Sequence, residues 1–188
     1  RPHRGEGGEP GMTTQILIAG FGGQGILFTG KFLAYKGLIE NRQVSWLPSY
    51  GPEMRGGTAS CGVILSDEPV GSPIVSKPDV LIAMNIPSLD RYEDSVAPGG
   101  VIIADSTLIG RKVRRTDVTA YYVPATQMAS DAGIPTLANM IIAGKLLKIL
   151  NADAPDSVAA ALEKVISAKH RDMLDVNRKA LEMGAEAK

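Results

Sequence analysis

The chain has 188 residues, 44% of them apolar and 21% charged, the balance of a globular protein large enough to bury a core. Twenty basic residues offset twenty acidic ones, so the net charge is zero and the basic footprint that nucleic-acid binding needs is missing. The single cysteine, Cys61, excludes an internal disulfide, a thiolate-held iron–sulfur cluster and a four-cysteine zinc site, and the two histidines, His3 and His170, lie far apart without ligand neighbours.

Residues 1–13 begin with RPHRGEGGEPG, rich in glycine and proline and without periodicity, and read as a disordered leader or an appended remnant. One α/β domain is expected over 14–184. Gln15–Ala19 reads as a buried strand, followed by a glycine turn and a helix near Gly25–Lys36. Gln43–Leu47 and Ala59–Leu65 read as strands on either side of a polar loop, and Asp79–Met84 as a further strand or a helix end. A short helix follows from Ser88 to Tyr92, then strands at Val101–Asp105 and Ala120–Val123. Ala138–Leu150, Pro155–Ile166 and Asp172–Met183 carry the apolar spacing of helices. Strands and helices alternate, and the strands are continuously apolar. The pattern predicts a Rossmann-like, three-layer α/β fold with a mostly parallel sheet and a helical C-terminal tail. The segment around Ser60–Ser66 is hairpin-like and predicts antiparallel pairing at an edge. The longest apolar runs, Ile16–Ala19 and Val80–Met84, are too short to span a bilayer, and with no signal peptide in view the chain reads as cytoplasmic and free of membrane partners.

Two glycine-rich segments stand out. The first, Gly20-Phe21-Gly22-Gly23-Gln24-Gly25, fits G-x-G-x-x-G between a strand and a helix, where backbone N–H groups meet phosphates. A nicotinamide site would also need an acid at the end of the second strand, and that strand ends in Trp46-Leu47-Pro48. An anionic group bound by Gly20, Gly22, Gly23, Gln24 and Gly25 and a tight turn that packs helix against sheet both remain open. The second segment, Ser49-Tyr50-Gly51-Pro52-Glu53-Met54-Arg55-Gly56-Gly57-Thr58, is too rich in glycine and proline for a helix or a central strand. Arg55 suits a phosphate or carboxylate, Glu53 would orient it, and Ser49 and Tyr50 offer hydroxyls; equally, Glu53 and Arg55 pair and hold the loop against a partner. Asn85 and Asp105-Ser106-Thr107 follow strands, where ligand groups and helix caps are both found. Arg111-Lys112-Val113-Arg114-Arg115 reads as a solvated turn, Asn139 as a satisfied buried amide, and Cys61 as a small apolar residue.

Read together, Ile18–Ile26 and Trp46–Ala59, with Asp79–Asn85 and Asn139-Met140 behind them, resemble the gamma subunit of the 2-oxoacid:ferredoxin oxidoreductases over about residues 14–150. The wording SYGPEMRGGTA is closer to the 2-oxoglutarate and branched-chain members than to the pyruvate ones. The resemblance implies a multi-subunit enzyme that turns a 2-oxoacid and coenzyme A into acyl-CoA and CO2 while reducing ferredoxin. It implies alpha, beta and delta partners that hold thiamine diphosphate and the iron–sulfur clusters, and an accessory role for this chain. Contact with coenzyme A would fall to Gly20, Gly22, Gly23, Gln24 and Gly25 and to Ser49, Tyr50, Glu53, Arg55, Gly56, Gly57 and Thr58, with no catalytic or metal-binding residue. A free-standing NAD- or flavin-binding oxidoreductase is the alternative.

Overall fold

The computed structural model describes residues 12–49 and 58–188. Six strands form one sheet in the order β2-β3-β1-β4-β5-β6: β1 (Thr13–Phe21), β2 (Gln43–Ser49), β3 (Thr58–Ser66), β4 (Val80–Ala83), β5 (Val101–Asp105) and β6 (Thr119–Val123). β1, β4, β5 and β6 pair parallel, whereas β3 runs antiparallel to both β1 and β2. The sheet is thus mostly parallel, as expected, but the antiparallel strand is corrected from an edge to the interior. β3 lies between β2 and β1, and its buried side chains on both faces keep it there.

Side chains alternate across the sheet with period two and divide the core. Ile16 and Ile18 of β1, Val80 and Ile82 of β4 and Ile103 of β5 face one way. They meet Phe32 and Leu33 of α1 (Ile26–Ile39) and Met140, Ile141 and Leu146 of α4 (Ala138–Ile149). Leu17, Leu81, Ala83 and Ile102 face the other way, against Leu89 of α2 (Ile86–Tyr92), Val96 and Ile109. Each of these fully buried large side chains stabilises the fold by roughly 1.5–3 kcal/mol relative to exposure. The crossover from β1 to β2 and the crossover from β4 to β5 step in opposite directions along the sheet, which puts α1 and α2 on opposite faces.

A short helix, α3 (Ala125–Asp131), follows β6 and has no counterpart among the elements read from the sequence. Its buried residues are only Ala125 and Ala129, one turn apart, so it carries no large apolar stripe to signal it. α1 and α4 each end on an asparagine with positive φ, Asn41 and Asn151, a left-handed residue that closes the last turn. The basic cluster after β5 is corrected from a solvated turn to a structural tie. Arg111 donates to Asp90 at 2.7 Å and to the buried Glu93 at 3.1 Å, and Arg115 donates to the carbonyls of Val96 at 2.9 Å and Glu93 at 3.1 Å. These bonds fasten the helix-free β5–β6 connection to the end of α2.

The C-terminal helices, α5 (Pro155–Val165) and α6 (Met173–Glu186), fold back on the first face, and α6 packs along α4. The two backbones come close enough there that a Cβ on Gly184 would collide with the Ile141 carbonyl, and one on Gly144 with the Leu181 carbonyl. Backbone cannot yield as a flexible side chain does. Gly184→Ala is therefore expected to lower stability by about 3 kcal/mol in urea unfolding, whereas Gly71→Ala, with open space around it, should change it by less than about 0.5 kcal/mol.

Candidate functional site

The carboxyl ends of the parallel strands are where open α/β sheets bind ligands, at the point where the crossovers diverge. The first glycine segment and the two ends of the second reach that edge. The register pairs Phe21 with Thr58 and Gly20 with Ala59, and on the other side of β3 it pairs Ser49 with Ser60. Thr58, where the second segment ends, therefore stands beside the first, and Ser49, where it begins, lies one strand farther out. Tyr50, Glu53, Arg55, Gly56 and Gly57 lie outside the described residues.

In the first segment, Gly22–Gln24 form one turn of 3-10 helix and Gly25, at φ 72°, turns the chain into α1. The Gln24 side chain folds back over it. Its Oε1 accepts from the Phe21 N–H at 2.6 Å and from Asn85 Nδ2 at 3.4 Å, and its Nε2 donates to the Met84 carbonyl at 3.2 Å. The amide thereby joins the end of β1 to the end of β4. A Cβ on Gly20 would sit 2.7 Å from Gln24 Oε1 and 2.8 Å from Met84 Cβ, so Gly20 serves this packing. At Gly25 a Cβ would meet the Asn139 amide, whose Nδ2 donates to the Gly25 carbonyl at 3.2 Å and to Thr29 Oγ1 at 3.0 Å. Gly22 and Gly23 are exposed, and nothing lies within 4 Å of a Cβ on Gly23. In the first segment Phe21, Gly22 and Gly23 are exposed, and of these the two glycines offer backbone alone.

Most other polar groups at this edge are engaged within the chain, although Ser88 Oγ, buried, has no partner among the described residues. Asn85 caps α2, accepting from the Ser88 N–H at 2.9 Å. Asp105, fully buried, accepts from the Thr107 N–H at 3.1 Å and from Thr126 Oγ1 at 2.5 Å. Asn85 realises the cap alternative, whereas Asp105 ties the turn after β5 to the first turn of α3. Sequence reading passed over Thr126 because it lies in α3, the unforeseen helix. Asn139 is satisfied through its Nδ2, while its Oδ1, buried, has no partner among the described residues. The edge as a whole is a set of mostly internally bonded polar groups around an exposed glycine turn.

The sequence pattern of the pyruvate ferredoxin/flavodoxin oxidoreductase family matches residues 15–187. The chain belongs to that family. It is 44% identical over 176 residues to ketoisovalerate oxidoreductase subunit VorA of Methanothermobacter thermautotrophicus, a match covering 92% of this chain and 36% of that protein. The chain thus spans about a third of the length of that relative. It is 37% identical over 154 residues to 2-oxoglutarate synthase subunit KorC of Methanocaldococcus jannaschii, covering 80% of this chain and 82% of KorC. Among solved structures, the 2-oxoglutarate:ferredoxin oxidoreductase of Magnetococcus marinus, with 2-oxoglutarate, coenzyme A and succinyl-CoA bound, shares the fold. Its TM-score is 0.80 at 24% identity, over 92% of this chain and 30% of that one.

Family membership gives the dinucleotide alternative no support, and the geometry adds none. β2 ends Leu47-Pro48-Ser49 without an acid, and Gln24 closes over the fingerprint turn. Among the described residues no cluster of three or more His, Cys, Asp or Glu is placed to hold a metal, and no helix is long and apolar enough to cross a membrane.

Cys61 is buried in β3, and desolvation pushes its thiol up to about 12, partly offset by a hydrogen bond with Trp46. The folded chain keeps the proton that the unfolded thiol loses near pH ~8.5. The stability this contributes is complete below that pH and falls as pH rises toward about 12. At pH 8 Cys61 is expected to resist a disulfide-exchange reagent in the native chain and to react fully in urea, read as released chromophore. Gln24→Ala should destabilise the chain by about 1 kcal/mol in the same denaturant, since the Phe21 N–H and the Met84 carbonyl lose their side-chain partner at a site water can reach.

Proposed function

We propose that the chain acts as the gamma-type unit of a 2-oxoacid:ferredoxin oxidoreductase. The complex would take a 2-oxoacid and coenzyme A to acyl-CoA and CO2, passing two electrons to ferredoxin. The observation that carries the reading is the family match over 15–187, together with a KorC relative of similar length that is named as a subunit. The relatives' names favour a branched-chain 2-oxoacid or 2-oxoglutarate as substrate.

The chemistry of the residues fits an accessory role. One buried cysteine with a raised pKa cannot ligate a cluster, and the carboxylates and amides at the strand ends are bonded internally. Thiamine diphosphate and the clusters are assigned to the alpha, beta and delta partners, which supply the decarboxylation and electron transfer. This chain on its own is expected to turn nothing over. Its contribution to coenzyme A is contact from the exposed backbone of Gly22 and Gly23 and from the 49–58 segment, with Arg55 as the phosphate-binding side chain.

Co-expression with the neighbouring subunits tests the assembly. The native chain is expected to travel with thiamine diphosphate and iron through size exclusion, and its failure to do so would sink the subunit reading. In the assembled enzyme, Arg55→Ala is expected to raise the apparent KM for coenzyme A roughly tenfold with kcat and assembly retained. Loss of assembly instead would assign the segment to the interface and remove the coenzyme contact.

A further inference from the structure

We infer that the cavity where the start of α1 meets α4 and α6 is a binding site for an uncharged aromatic ring that carries an NH2 group. The inference concerns this chain alone and does not depend on the subunit reading. The cavity holds about 350 Å3, and its exposed lining residues, Thr136, Ser167 and His170, mark the mouth. That volume is within the range of small-molecule pockets and far beyond a single water, whose share of the liquid is ~30 Å3. Phe28 of α1, Val165 and Ile166 at the end of α5 and Met173 of α6 supply an apolar wall. None of the lining residues is Asp, Glu, Lys or Arg.

Two buried amides in the same wall carry the argument. Asn139 of α4 is 5% exposed and Asn177 of α6 is 2% exposed, and both line the cavity. Their nitrogens are already committed. Asn139 Nδ2 donates to the Gly25 carbonyl at 3.2 Å and to Thr29 Oγ1 at 3.0 Å, and Asn177 Nδ2 donates to the Met173 carbonyl at 2.8 Å. Turning either amide over would set its oxygen against a backbone carbonyl, so these bonds fix which end is which. Both Oδ1 atoms are left buried and without a partner among the described residues. An unpaired buried acceptor is costly, and two in one cavity wall form an arrangement that a bound donor repairs. The fold itself asks little of Asn177, because in an α-helix the Met173 carbonyl already receives the Asn177 backbone N–H.

The chemistry of the ligand follows from what the cavity offers. It carries N–H donors, because the unused polar atoms of the buried wall are acceptors. It carries no formal charge, because no opposite charge lines the cavity to replace the water it would lose. It has a flat, largely apolar body, because Phe28 and the aliphatic wall gain from covering a ring and from releasing the water held against them. An NH2 group on an aromatic heterocycle meets all three conditions and brings two N–H bonds, as many as there are unpaired oxygens. The ring nitrogens of such a molecule find donors in the hydroxyls of Thr136 and Ser167 at the mouth.

Adenine and purine are the probes, the same ring with and without the amino group. In calorimetric titration of the full chain, adenine is expected to bind once with a Kd at or below about 1 mM, a modest strength for a molecule of about ten non-hydrogen atoms. Purine is expected to bind about tenfold or more weakly. Asn177→Leu, which fills similar space without the oxygen, should hold or raise the Tm while weakening adenine by about tenfold. Equal binding of adenine and purine overturns the inference. So does the absence of adenine binding at about 5 mM, which would leave the cavity to water alone. Undiminished adenine binding by Asn177→Leu with its Tm kept overturns it as well. Should that variant lose Tm, the comparison of adenine with purine on the unaltered chain decides. Coenzyme A added to the adenine-bound chain separates two sources of the ring: displacement shows that it arrives on the coenzyme, and retention shows a free molecule.

Discussion

β1 is the strand on which both halves of the sheet depend. On one side it pairs antiparallel with β3 along all nine of its residues, and on the other it pairs parallel with β4 over Ile16–Ala19. β1 holds two directions of pairing at once, and the consequence lies at the carboxyl end. Because β3 starts where β1 stops, the chain entering β3 must arrive beside the turn leaving β1. Phe21 opposite Thr58 fixes that meeting point to a single residue pair. A register slip of one residue would turn Ile16 and Ile18 out of one core and Leu17 out of the other, so the juxtaposition is protected by the hydrophobic effect over the whole strand.

Much of this was legible in the sequence because the elements are short, apolar and well punctuated. The strands at Val101–Asp105 and Ala120–Val123 coincide with the sheet to within a residue, since Pro98-Gly99-Gly100 leads into the first and Asp117 and Pro124 bracket the second. The placement of β3 was misread for a physical reason. Its antiparallel direction was read correctly from the hairpin-like segment, but its interior position was not, because that depends on β1 and β2 pairing on either side of it, which the segment itself does not carry. The direction rests on the connection. Residues 50–57 are too few for the dozen-residue crossover that a parallel neighbour requires, which settles the antiparallel pairing with β2.

The site was less legible. Asn85 and Asp105 sit at strand ends, where a cap and a ligand group use the same side chain on the same kind of backbone. Only the distances to Ser88, Thr107 and Thr126 separate the two roles. Gln24 is the same problem in a sharper form. As the fifth residue of G-x-G-x-x-G it is unconstrained by the fingerprint, yet its amide takes up hydrogen-bonding positions at the mouth of the turn. Spacing alone could not reveal that, because the contact depends on Met84 and Asn85, some sixty residues on.

These particulars change what a glycine fingerprint implies here. The fingerprint supplies room, and in a dinucleotide enzyme the room is filled by pyrophosphate. In this chain part of it is filled by Gln24, and part of the rest serves the approach of Asn139 to the start of α1. What remains outward is the backbone of Gly22 and Gly23, flanked by Phe21 and by Thr58, where the second segment ends. Exposed backbone beside an apolar side chain binds weakly by itself, since water competes for every donor. The same groups become effective when another surface covers them and lowers the local dielectric, which strengthens each bond to a phosphate. In this chain the polar side chains secure its own shape, and the open backbone of Gly22 and Gly23 would gain strength only beneath a covering surface.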